Sequence, residues 1–119
     1  MAHHVELESL TQEVFEELIS KDPSIKKEPI VIIKFSATWC GPCKKVDMKY
    51  LTELSDKIKW YHCDLDENDY TPGYAGVKKI PAFLAIVNGV PQKILQCSDT
   101  QKIADWMKSG FKQALPQLD

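Results

Sequence analysis

The stretch Ile30-Val31-Ile32-Ile33-Lys34-Phe35-Ser36-Ala37-Thr38-Trp39-Cys40-Gly41-Pro42-Cys43 decides how this chain is read. Ile30–Phe35 is apolar and largely β-branched, interrupted only by Lys34. That is the composition of a strand covered on both faces, as at the centre of a parallel sheet. Gly41-Pro42 then allows a tight turn into a helix, with a φ preset by the proline ring. Val46, Tyr50, Leu51 and Leu54 share one helical face and carry that helix to about Asp56. Two cysteines three residues apart therefore stand where a buried strand hands over to a helix.

Upstream, residues 5–8 read as a short first strand. Thr11 is placed to cap a helix in which Val14, Phe15, Leu18 and Ile19 repeat at helical spacing. Pro23 and Pro29 bracket a connection that no long helix can cross. Downstream, Lys59–Asp64 returns to strand character. Asp66–Gly76 reads as a loop with room for one helical turn. Ala82–Val87 is a second strongly apolar strand, Asn88-Gly89 is a hairpin signal, and Pro91 sends the returning strand Lys93–Gln96 to an edge. Ser98 or Asp99 can cap a last helix with Ile103, Trp106, Met107 and Phe111 in one stripe. The order β-α-β-α-β-α-β-β-α predicts an α/β domain with a central mixed sheet and helices on both faces.

With 119 residues, 44% of them hydrophobic and 27% charged, the chain is expected to form one domain over 1–119. A formal net charge of −2 makes no case for nucleic acid or an anionic membrane. No apolar run approaches the roughly 18 residues of a membrane span. The first residues have neither the basic nor the apolar region of a secretory signal, which points to the cytoplasm; His3-His4 is assigned no function. Four cysteines in a reducing compartment favour redox catalysis or metal binding over a structural disulfide framework.

The position of Cys40 and Cys43 favours redox chemistry. A helix start offers free backbone N–H groups and the positive end of the macrodipole, which stabilise a thiolate. Cys40, at the very start, is the expected nucleophile. Cys43, one turn further in and less exposed, suits the resolving role. A zinc site from Cys40, Cys43, His62 and Cys63 is the competing reading, but His62-Cys63 lies inside an apolar strand. Cys63 reads instead as a small buried hydrophobe, and Trp60, Tyr61, Trp106 and Phe111 as packing residues. Trp39, directly before the pair, reads as an aromatic at its rim.

The string Phe35–Lys44, with its Trp39-Cys40-Gly41-Pro42-Cys43 centre, resembles the thioredoxin family. The likeness runs from about Val5 to Phe111 and takes in Asp64-Leu65-Asp66, Ile80-Pro81 and the Asn88-Gly89 turn. It implies the thioredoxin fold and a Cys40/Cys43 dithiol–disulfide cycle that reduces disulfides in protein substrates. Pro81 is then expected to follow a cis peptide bond and to lie against the disulfide. Trp39, Ile80, Pro81 and Gln96 would receive the substrate chain. No bound organic cofactor or metal is expected; reducing equivalents would come from NADPH through a thioredoxin reductase, and the protein would act as a monomer. An oxidant or isomerase, and a binding module with little turnover, are the alternatives.

The chain departs from the family pattern at several positions. Lys34 stands where the family has a buried acid, His62 where a lysine commonly accompanies that acid, Met48 where a proline commonly kinks the second helix, and Gln96 in place of a glycine beside the substrate groove. A positive charge at Lys34 favours thiolate on both cysteines and a more oxidising potential. Cys97, next to Gln96, is a candidate regulatory thiol.

Overall fold

The computed structural model describes residues 5–111, so the His3-His4 pair lies outside the described residues. The elements are β1 (Glu8–Ser9), α1 (Gln12–Leu18), β2 (Ile30–Ser36), a four-residue 3-10 turn (Pro42–Lys45), α2 (Met48–Glu53), β3 (Ile58–Asp64), α3 (Tyr70–Ala75), β4 (Ala82–Val87), β5 (Val90–Pro91), β6 (Leu95–Gln96) and α4 (Thr100–Gly110). The sheet order is β1-β3-β2-β4-β5, with β6 also paired to β4. β1, β2 and β3 run parallel, and β4 is antiparallel to β2.

The apolar run of β2 takes the middle of the sheet because only there are both faces covered. Ile30 and Ile32 pack with Trp60, Phe83, Leu51, Ile103 and Met107 under α2 and α4. Val31, Ile33 and Phe35 pack with Phe15, Leu18, Cys63 and Leu84 under α1 and α3. This alternation is the two-residue period of a strand carried into two separate cores. The mixed sheet with helices on both faces is as the pattern predicts.

Several boundaries differ from the sequence reading. β1 is Glu8–Ser9 rather than residues 5–8; its place is set by Glu8, which pairs with Tyr61 in register and reaches Lys59 Nζ at 2.7 Å. The returning edge is two short pieces rather than one strand over Lys93–Gln96, with Pro91 opposite Ile86 at the outer edge. Asp66–Gly76 yields the six-residue α3, started by the Asn68 side chain, which accepts from Thr71 N–H, and closed by Gly76 at φ 80°.

The largest correction concerns the helix expected from Gly41 to Asp56. It is broken at Val46, which is extended at φ −75° and ψ 125°. Asp47 starts α2 afresh: its carboxylate accepts from Tyr50 N–H at 3.1 Å, and its own N–H donates to Thr100 Oγ1 on α4 at 2.9 Å. In an unbroken helix that N–H would donate to the carbonyl of Cys43, four residues back. The freed Cys43 carbonyl accepts instead from Lys34 Nζ at 3.4 Å. A break without proline is thus held by a cap, a tertiary hydrogen bond and an ammonium.

Candidate active site

Cys40 and Cys43 form a disulfide, with Cα atoms 5.4 Å apart, at the C-terminal end of β2. The sulfurs pack with Ala37 and Ile80 in a small cluster of their own. Cys40 is 4% exposed and Cys43 3%. The expected contrast in exposure is therefore absent in the disulfide form. No long helix follows Cys40, so the macrodipole expected there shrinks to one local donor. Cys43 N–H points at Cys40 Sγ, 3.2 Å away, a geometry that favours negative charge on that sulfur.

Gly41 sits in the ordinary right-handed region at φ −62°. A Cβ there would meet nothing within 4 Å. The turn therefore does not require a glycine, and its effect is to leave the surface beside Cys40 open. Pro42 occupies the first position of the 3-10 turn, where its missing N–H costs nothing.

Around this pair the chain assembles a rim. Trp39 is 66% exposed, the most exposed of the large hydrophobic side chains described. Its indole N–H donates to Asp66 Oδ2 at 3.1 Å, fixing the ring beside the disulfide. The Ile80–Pro81 peptide is cis, and Pro81 is buried while Ile80 touches the cysteine cluster. Gln96 is exposed and pairs with Ala82, the residue after Pro81, so it flanks the same edge. Nothing local in the sequence marks Asp66 for this contact. Its 27-residue separation from Trp39 leaves no local signal; only the packing of the β3–α3 turn beside the end of β2 brings them together.

Beneath the disulfide the α2/α4 face of the sheet changes character. Along β2 the inward residues run Ile30, Ile32, Lys34, Ser36; along β3 they run Ile58, Trp60, His62, Asp64. The apolar stripe becomes polar over its last two steps, under Cys43. A cleft of about 770 Å³ opens there, lined among others by Val5, Leu7, Lys34, Ser36, Cys43 and His62. Ser36 Oγ and His62 Nε2 are 2.6 Å apart. Burial pulls the Lys34 ammonium below its ordinary 10.5. Burial first, and then the Lys34 charge, hold the His62 imidazole below 6.5.

The remaining thiols stand apart. Cys63 is fully buried on the α1/α3 face, across the sheet from His62, and burial pushes its thiol up to about 12. It therefore cannot join Cys40, Cys43 and His62 around one ion. Cys97 is half-buried beside β6, its sulfur accepting from Asp99 N–H at 3.4 Å.

An α/β sheet that carries a dithiol pair at the end of its central strand, next to a cis proline, defines a thiol–disulfide exchange protein. The thioredoxin family model matches residues 6–109. A thioredoxin from Rickettsia typhi is 36% identical over 96 residues, covering 76% of this chain and 90% of that protein. The thioredoxin of Rickettsia conorii is 35% identical over 100 residues, with 76% and 94% covered. Among solved structures, oxidised mitochondrial thioredoxin 3 from Saccharomyces cerevisiae superposes with a TM-score of 0.75 at 24% identity, covering 87% of this chain and 94% of that one. Malassezia sympodialis thioredoxin gives 0.72 at 24% identity, with 90% and 95% covered. The chain belongs to the thioredoxin family and is a thiol–disulfide oxidoreductase.

Proposed function

We propose that this protein reduces disulfides in other proteins, with Cys40 as nucleophile and Cys43 as resolving thiol. The Cys40 thiolate attacks a partner disulfide and forms a mixed disulfide; Cys43 then attacks Cys40 Sγ, releasing the partner as a dithiol. Support for this division of roles comes above all from the Cys43 N–H aimed at Cys40 Sγ. It favours thiolate on Cys40 and offers no such donor to Cys43. Trp39, Ile80, Pro81 and Gln96 border the pair on its outer side and make the surface on which a substrate chain lies.

Electrons return from NADPH through a thioredoxin reductase, with no bound organic cofactor or metal in the protein itself. The protein works as a monomer in the cytoplasm, in electron transport and redox homeostasis. Related thioredoxins include bacterial and chloroplast proteins, so compartment is tested by localisation of the tagged chain. Among the described residues no helix is long and apolar enough to cross a membrane.

Insulin reduction with dithiothreitol or reductase as electron source is the test. Cys40→Ser should abolish turnover, and Cys43→Ser should accumulate mixed disulfides through Cys40. Faster alkylation of Cys43 than Cys40 near neutral pH would reverse the roles, and wild type without turnover would leave a binding module. A more oxidising exchange or isomerase activity is the second reading, favoured by the Lys34 ammonium at Cys43; the reduction potential separates the two.

A further inference from the structure

We propose that His62, oriented by Ser36, is the base that takes the proton from Cys43 when the mixed disulfide is resolved. The inference rests on the reductase reading above and assigns one proton transfer within it. Three observations carry it. His62 and Cys43 line the same cleft, from β3 and from the 3-10 turn. Ser36 Oγ, 2.6 Å from Nε2, fixes the ring. The stripe to which His62 belongs is apolar at Ile30, Ile32, Ile58 and Trp60 under α2 and α4 and turns polar only beneath Cys43, at Lys34, Ser36, His62 and Asp64, where an imidazole adds nothing to packing.

The charged and titratable groups facing His62 are Lys34 from β2, Asp64 and Glu67 from the end of β3 and the turn after it, Glu6 from the N-terminal segment, and Cys43 and Lys44 across the cleft. Burial and Lys34 outweigh Asp64 and Glu67 and keep the ring neutral near pH 7. A neutral imidazole can accept a proton, which the Lys34 ammonium cannot. Lys34 instead faces the negative charge left behind, through its contact at Cys43.

The Cys43 S–H proton passes to His62 through solvent in the cleft that both groups line. The thiolate pair forms the Cys43–Cys40 bond, and the bond from Cys40 to the partner sulfur breaks. That sulfur leaves with the electron pair and takes up a proton, which His62 returns through solvent. The Cys40/Cys43 pair is oxidised by two electrons and the partner is reduced by two.

The test is stopped-flow reaction of the reduced protein, on a Cys97→Ser background, with dithiobis(nitrobenzoate), an aromatic disulfide whose released thiolate is coloured. The first release reports attack by Cys40 and the second reports resolution by Cys43. In the protein with His62 intact, the second phase should be flat around neutrality and fall only below His62's depressed pKa, because protonated imidazole is no base. His62→Gln should slow the second phase about 100-fold near neutrality, leave the first unchanged, and give a rate rising about tenfold per pH unit. Equal second phases in His62→Gln and the parent, at every pH, overturn the proposal. If the variant fails to fold, the parent profile decides alone: a second phase without the acid limb overturns it. Parent protein that gives a first release and no second, or none, takes the reductase reading down as well, whereas normal turnover with an unaltered His62→Gln profile removes only this inference.

Discussion

Replacing Lys34 with methionine removes one positive charge and one donor from beneath Cys43 while keeping a flexible apolar stem of similar length. Lys34 Nζ lies 3.4 Å from the Cys43 carbonyl oxygen, close enough for its charge to act on the sulfur of that residue, and a separation on the order of 6 Å sets the scale. Two unit charges at about 6 Å attract by about 0.7 kcal/mol in water and about 2.8 kcal/mol at an effective dielectric constant near 20. A half-buried ammonium lies between these limits, so the thiolate of the pair loses about 1–2 kcal/mol of stabilisation, roughly one pKa unit. Only the reduced form can carry a thiolate. The reduction potential should therefore become more negative by about 20–40 mV in the variant. Stability should change by no more than about 1 kcal/mol, since a long hydrogen bond is lost while the cost of burying a charge is relieved. Lys34→Asp should move thiol pKa and potential further in the same directions. Ultraviolet titration of the thiolate and equilibration with glutathione buffers measure both quantities. Wild-type values in both variants would refute the electrostatic reasoning and leave Lys34 as a partner of the Cys43 carbonyl alone.

Asp47→Ala removes the carboxylate that starts α2 after the break, and should cost about 1 kcal/mol, lowering Tm by about 4–6 °C in calorimetry. In the native oxidised protein, iodoacetamide at mildly alkaline pH should label Cys97 and spare Cys63, whose thiol is buried and pushed up to about 12. Mass spectrometry of the digested protein reads this directly, and labelling of Cys63 at a comparable rate would show that the α1/α3 core opens readily.

The two cores were legible because a strand's two-residue period writes both faces into one run. Ile30–Phe35 could belong only at the sheet centre, and Asn88-Gly89 with Pro91 could belong only at its edge. The cysteine pair was legible because it lies within one turn, where local geometry is short-range. The break at Val46 was not. Its neighbours Met48 and Leu51 keep helical spacing on either reading, and the decision rests on Thr100, which is 53 residues away in the chain.

By itself, then, the sequence determined the order of elements and the place of the dithiol at the end of β2, while the cis proline after Ile80 followed only from the resemblance to the thioredoxin family. The tertiary structure alone decided what surrounds the sulfurs. Parallel register sets Lys34 beside His62, packing of the β3–α3 turn ties Asp66 to Trp39, and α4 draws the Asp47 N–H away from the Cys43 carbonyl. Periodicity reports which face of an element is buried; it carries no information about which polar groups from distant elements meet there. Those meetings depend on strand order and register, which arise only when the separate apolar faces are buried together.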